Sequence, residues 1–242
     1  MSADPTVVAR PEPGVGEMKR SVLVRREIAA VGQERAVVLA IHGHGGSVDQ
    51  LDTLCRALGS DFASVLPQAW RPLNIHGVVE AVHPGYSWYF DFAVGQPEPA
   101  TFGDCLIELE TLIYDLYEED DQRRLFILGY GQGATLALAL ASVVPDFLSG
   151  VIAIGGSVPS IKGWTAPFTD LKRLPILLIG AHSAGTVERL TGMNANVDVL
   201  EHDGASHEPI DAAPTAIAPI ARQWLDDRVS GASVMPQSSQ HA

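Results

Sequence analysis

A chain of 242 residues, 46% of them hydrophobic, is long enough to close one α/β core, and its formal net charge of −13 argues against a nucleic acid or an anionic membrane surface as partner. Only Cys55 and Cys105 are present, too few for a disulfide framework, and no apolar run is long enough to span a bilayer. The opening Met1-Ser2-Ala3-Asp4-Pro5 has neither the basic region nor the apolar core of a signal peptide, so a cytoplasmic protein is expected.

Residues 1–19 hold Pro5, Pro11 and Pro13 without a periodic apolar face, which predicts a flexible N-terminal arm; 229–242 predict a flexible C-terminal tail. Between them, 20–228 read as a single domain without internal repeats. Strands are predicted at 21–28 and 36–41, the second an unbroken apolar run of the kind buried on both faces of a parallel sheet. Ile41-His42-Gly43-His44-Gly45-Gly46-Ser47 follows directly. This loop is a plain strand-ending turn, a set of backbone N–H donors, or, through its His-x-His spacing, part of a zinc site that lacks a third ligand at a motif distance. A helix is predicted at 49–58 and a short strand at 63–66. Tyr86, Trp88, Tyr89 and Phe90 then crowd a loop rich in Gly and Pro. Such aromatics line a pocket or pack into the core, and Tyr86 and Trp88 are the candidate substrate contacts. A long amphipathic helix is predicted at 102–117.

Residues 125–128 form an apolar strand, Gly129-Tyr130-Gly131-Gln132-Gly133 a sharp turn, and 134–141 a buried helix. With G-x-S-x-G at the turn, this succession is the nucleophile elbow of α/β-hydrolases, where a strained backbone lifts a serine hydroxyl beside an oxyanion hole. Here the central residue is Gly131. Glycine reaches positive φ without a Cβ clash and so relaxes a turn that costs other residues roughly 1–3 kcal/mol. The plain alternative is a glycine-rich turn used for close packing. In the elbow reading the oxyanion hole persists, because backbone donors survive a change of side chain: one N–H comes from His44 and one from Gln132. Tyr130 borders the same pocket.

Strands at 150–154, 175–179 and 197–201 and a closing helix at 212–226 complete an alternation that implies a parallel sheet covered on both faces. After its elbow, a hydrolase places first an acid and then a histidine. The loop Gly180-Ala181-His182-Ser183-Ala184-Gly185-Thr186-Val187 holds no carboxylate until Glu188. Asp203-Gly204-Ala205-Ser206-His207-Glu208-Pro209 does hold a histidine before the last helix, where a catalytic base belongs.

Together these motifs resemble the bacterial carboxylesterase/phospholipase branch of the α/β-hydrolase superfamily over most of 36–226. The likeness rests on the 42–46 loop, Leu66-Pro67-Gln68-Ala69, Gly85-Tyr86-Ser87-Trp88-Tyr89, the 129–134 elbow where the family has G-F-S-Q-G, Gly155-Gly156, and 204–208 around His207. It implies the α/β-hydrolase fold, a mostly parallel central sheet with helices on both faces, and hydrolysis of carboxylic esters with no cofactor and no metal. Carried over, Gly131 stands at the nucleophile position, Ser183 at the acid position, His207 at the base, and His44 and Gln132 at the oxyanion hole; Glu188 and Asp211 are the alternative acids. With serine and carboxylate both replaced, three functions are expected in place of ordinary hydrolysis. They are a non-hydrolytic lyase, isomerase, cyclase or oxygenase, a ligand-binding pseudoenzyme, and a hydrolase with a substitute nucleophile such as Ser157. Each takes a small-molecule substrate or ligand.

Overall fold

The computed structural model describes residues 21–73, 85–93, 96–161, 163–201 and 214–231. The arm at 1–19, the tail beyond 231, and the segment with His207 and Asp211 lie outside the described residues.

Strands β1 (Arg25–Ile28), β2 (Ala36–Ile41) and β3 (Phe62–Pro67) flank the short helix α1 (Asp52–Ala57). Two small ribbons follow, β4 (Arg71–Pro72) with β5 (Tyr86–Ser87) and β6 (Asp91–Ala93) with β7 (Gln96–Pro97). Then come α2 (Pro99–Glu119), β8 (Leu125–Tyr130), α3 (Gln132–Ala141), β9 (Gly150–Ile154), β10 (Pro175–Ile179), α4 (Thr186–Gly192), β11 (Asn196–Leu200) and α5 (Pro214–Val229). The main sheet runs β1-β3-β2-β8-β9-β10-β11, parallel throughout except where β1 meets β3.

The apolar runs become strands because both their faces are covered. In β2, Val37, Leu39 and Ile41 pack towards Leu109 and Leu112 of α2 and Leu136 of α3. Ala36, Val38 and Ala40 point the other way, towards Leu54 and Leu58 beside α1 and Leu225 of α5. This two-residue alternation inside a wholly buried strand marks the centre of a three-layer sandwich. In α2, Phe102, Leu106, Leu109, Ile113 and Leu116 recur at helical spacing and are all buried.

The boundaries differ from expectation for local reasons. β1 begins at Arg25 and not at 21, because Arg25 pairs with Pro67, the last residue of β3, and beyond that pair the ladder gives way to a bond from Gln68 N to Val24 O at 2.7 Å. α2 starts earlier than 102: the Glu98 side chain accepts from the N–H groups of Ala100 and Thr101, with Pro99 opening the helix. The closing helix is Pro214–Val229. Helix α4 has only seven residues and two buried side chains, Thr186 and Leu190, too little to register as a pattern. Among the described residues, no helix is long and apolar enough to cross a membrane.

Candidate active site

β8 runs into Gly131 and α3 starts at the next residue, so the turn between them is as tight as a backbone permits. Gly131 has φ 54° and ψ −113°, a region that glycine reaches and side-chain-bearing residues rarely do. Its N–H donates to Ile154 O at 2.9 Å, and its carbonyl accepts from Thr135 N at 3.1 Å. A Cβ at Gly133 would stand 2.0 Å from Ile41 O, so the elbow presses directly against the end of β2.

The loop after β2 is shaped by polar side chains. Gln50 Oε1 accepts from Gly43 N at 2.7 Å, and Gln68 Oε1 from Val48 N at 3.0 Å. Gly45 N donates to Tyr86 O and Tyr86 N to Gly46 O, each at 2.9 Å, which fastens the aromatic stretch to this loop. The Tyr130 ring lies against Gly43. Among the described residues, no backbone acceptor meets the N–H of His44 or of Gln132.

His42 and His44 have separate fates. His42 is buried; its Nε2 accepts from Ala69 N at 3.1 Å, which leaves the proton on Nδ1 to reach Gly43 O at 2.8 Å. With both ring nitrogens engaged, His42 has no lone pair for a metal, and the zinc alternative loses half of its His-x-His pair. His44 is exposed.

Burial pushes the His42 imidazole down to about 4. The unfolded chain takes up a proton near pH 6.5 that the folded chain refuses until about 4, so stability is complete above the unfolded value and falls as pH drops through this window. The loss should reach about 3 kcal/mol. Urea midpoints at pH 7.5 and 4.5 should therefore diverge less for His42→Gln than for the wild type. An equal pH dependence in the two proteins would contradict a neutral buried imidazole.

Trp88 is fully buried, its Nε1 donating to His42 O at 2.8 Å and its ring beside the His42 ring at 5.0 Å. It is a core side chain whose surface is closed to a substrate, a correction to its reading as a substrate contact. Tyr86 is half-buried and lines a groove of about 490 Å³ with Val22, Trp70 and Glu108, whose described walls include neither Gly131 nor Gln132. Ser183 is exposed after β10; its Oγ pairs with Thr186 Oγ1 at 3.0 Å, and its N–H donates to Ser157 Oγ. Glu188 is exposed in the first turn of α4.

Two features escaped the sequence. Only the backbone of Gln132 was singled out, yet its buried side chain accepts from Ser87 Oγ and Trp88 N, each at 3.1 Å, and donates to Tyr89 O at 2.9 Å. The elbow thereby grips the aromatic loop. The second is Asp91, an exposed residue at the start of β6 whose titration is influenced by His44 and the Gln132 side chain. Removal from water raises its pKa, and these two partners only partly oppose the rise.

A tight strand-turn-helix elbow facing a glycine-rich loop at the carboxyl ends of a mostly parallel sheet defines the α/β-hydrolase class. Within that class the chain belongs to the phospholipase/carboxylesterase family, whose model matches residues 27–201. A carboxylesterase from Mesorhizobium loti superposes with a TM-score of 0.68 at 20% identity, covering 86% of this chain and 99% of that one. A Bacillus cereus carboxylesterase gives 0.65 at 19% identity, covering 86% and 95%. In sequence, NocK of Nocardia uniformis subsp. tsuyamanensis is 25% identical over 150 residues, 61% of this chain; the chain spans only 40% of the length of NocK. At these identities the structural likeness concerns the fold.

Proposed function

We propose that this protein is a non-hydrolytic, cofactor-free enzyme of the lyase, isomerase, cyclase or oxygenase type. In this reading His207 acts as general base, and the N–H groups of His44 and Gln132 receive the developing oxyanion. The observation that carries it is Gly131: the elbow keeps its backbone shape but offers no atom able to attack a carbonyl. Among the described residues outside its chain neighbours, the nearest atom to a Cβ built there is Gly43 Cα at 3.8 Å, so the space that a serine side chain would enter is open at its root.

Ser183 at the acid position offers no charge to an imidazolium, which favours the neutral, proton-accepting form of the base. Cytoplasmic location and independence of metal belong to the same reading. Ser157 is the weaker alternative as nucleophile. It follows two glycines at the end of β9, has no elbow of its own, and already accepts from Ser183 N.

Proton abstraction can be measured before the substrate is known. Ketones and esters incubated with the protein in deuterated water should gain deuterium beside the carbonyl, followed by NMR. His207→Ala should slow this exchange by roughly 10²–10⁴ and change binding less. A variant that exchanges at the wild-type rate would remove His207 from the mechanism. Binding without any exchange would instead support the ligand-binding pseudoenzyme.

A further inference from the structure

Between β9 and β10 the chain passes beside α3 and is tied down at both ends of that passage. Arg189 of α4 donates from Nη1 to Val158 O at 3.1 Å and from Nη2 to Pro159 O at 3.2 Å. Further along, Phe168 N donates to Ser142 O at 3.2 Å and Leu171 N to Met193 O at 2.7 Å. A cavity of about 250 Å³ lies between these ties. Buried Leu138, Ala139, Ile161, Leu171 and Leu190 line it, and partly buried Trp164 and Met193 add an indole and a thioether. Its described walls include none of His44, Gly131, Gln132 and Ser157, so it is separate from the elbow.

Size and lining decide what fits. An apolar cavity of about 150 Å³ stays dry and takes benzene, whereas drug-sized ligands need roughly 300–1,000 Å³, so the volume here suits one ring or two fused ones. Water is a poor occupant of the inner part, because the polar groups there are already engaged: Ser142 Oγ donates to Ala139 O at 2.7 Å, and the Ser142, Val158 and Pro159 carbonyls accept the bonds named above. Of the described lining residues only Arg189 is charged, and it is exposed. Its guanidinium has five N–H donors, of which the two carbonyls take two; among the described residues no carboxylate pairs with it.

We propose that this cavity binds a small aromatic carboxylate, with the ring against Trp164, Met193 and the leucines and the carboxylate on the remaining donors of Arg189. The planar fork of a guanidinium matches a carboxylate, and a charge-assisted pair is stronger than a neutral one. The net charge of −13 opposes an anion only at long range, since salt screens exposed charges beyond about 8 Å, and the adjacent guanidinium outweighs it. Nothing in this site uses the elbow, so it stands or falls apart from the proton-transfer reading.

The test is fluorine NMR of the full-length protein with three probes: 4-fluorobenzoate carries ring and charge, 4-fluorotoluene the ring alone, and fluoroacetate the charge alone. 4-Fluorobenzoate should shift and broaden saturably and bind roughly tenfold more tightly than 4-fluorotoluene, and fluoroacetate should not bind. Arg189→Gln should erase the preference for the acid while 4-fluorotoluene still binds. Ala166→Phe, which fills the cavity from a partly exposed wall, should remove both. A wild type that leaves 4-fluorobenzoate unperturbed overturns the proposal. Equal binding of the acid and the toluene overturns it too, as does a preference for the acid that survives in Arg189→Gln. Binding unchanged in Ala166→Phe places the ligand elsewhere and has the same effect. Should that variant not fold, Overhauser contacts between the bound probe and the Met193 methyl decide the location: their presence supports the cavity and their absence overturns it.

Discussion

Gly133→Ala should be the most damaging single methyl group that can be added near the elbow. The new Cβ would lie 2.0 Å from Ile41 O and 2.7 Å from His42 O, and both are backbone atoms at the end of a fully buried strand. Neither can rotate away, because Ile41 is paired with Gly129 across the β2–β8 ladder. Relief requires separating α3 from β2, so the cost should exceed the 1–3 kcal/mol typical of overpacking. Gly131→Ser behaves differently. Among the described residues its Cβ has 3.8 Å to its nearest neighbour outside the adjoining residues, so the expected penalty is that of the backbone conformation, roughly 1–3 kcal/mol. Denaturant midpoints should therefore fall in the order wild type, Gly131→Ser, Gly133→Ala. A Gly133→Ala protein that unfolds with the wild type would mean that the elbow does not press on β2, and an unchanged Gly131→Ser would mean that the turn is not strained.

The contrast between these two glycines shows what the chain discloses and what it conceals. Both stand in one five-residue turn, and the motif alone identifies Gly131 as the apex. That Gly133 is fixed by a carbonyl some ninety positions earlier follows only from the sheet order, which places β2 beside β8. The central strands were legible because each is a short, wholly apolar run, as in Ala36–Ile41, and α2 because its buried residues recur at helical spacing. The ribbons β4 to β7 were not, since two- and three-residue strands carry no periodicity. The same limit hid the Gln132 side chain: its hold on Ser87, Trp88 and Tyr89 depends on a loop closing across the elbow, and the residue type is not unusual where it stands. Trp88 shows the opposite error, a residue whose aromatic character is visible but whose burial depends on where His42 comes to rest.

Hydrolysis of activated esters should be close to background in the wild type and should return only when two positions are restored together. With no hydroxyl on Gly131, p-nitrophenyl acetate meets the N–H donors but no nucleophile. Removing a nucleophilic serine from an intact triad lowers kcat by roughly 10⁶, leaving what the oxyanion hole and binding supply. Gly131→Ser alone provides the hydroxyl, and the open space above Gly43 admits it, but in the proposed reading the position of the acid still carries Ser183. In Gly131→Ser combined with Ser183→Asp, the new carboxylate would stand at the Thr186 hydroxyl at the start of α4, within a loop already tied to Ser157. Hydrolysis by the double variant should exceed the sum of the two single variants, the non-additivity expected of groups that act as a unit. Fluorophosphonate labelling gives an independent reading, since it reports an activated serine whatever the ester. It should be absent from the wild type and present in the double variant. Labelling of the wild type, located by peptide mapping to Ser157 or another serine, would show that a nucleophile operates away from the elbow, and the non-hydrolytic reading would give way to an esterase with a relocated serine.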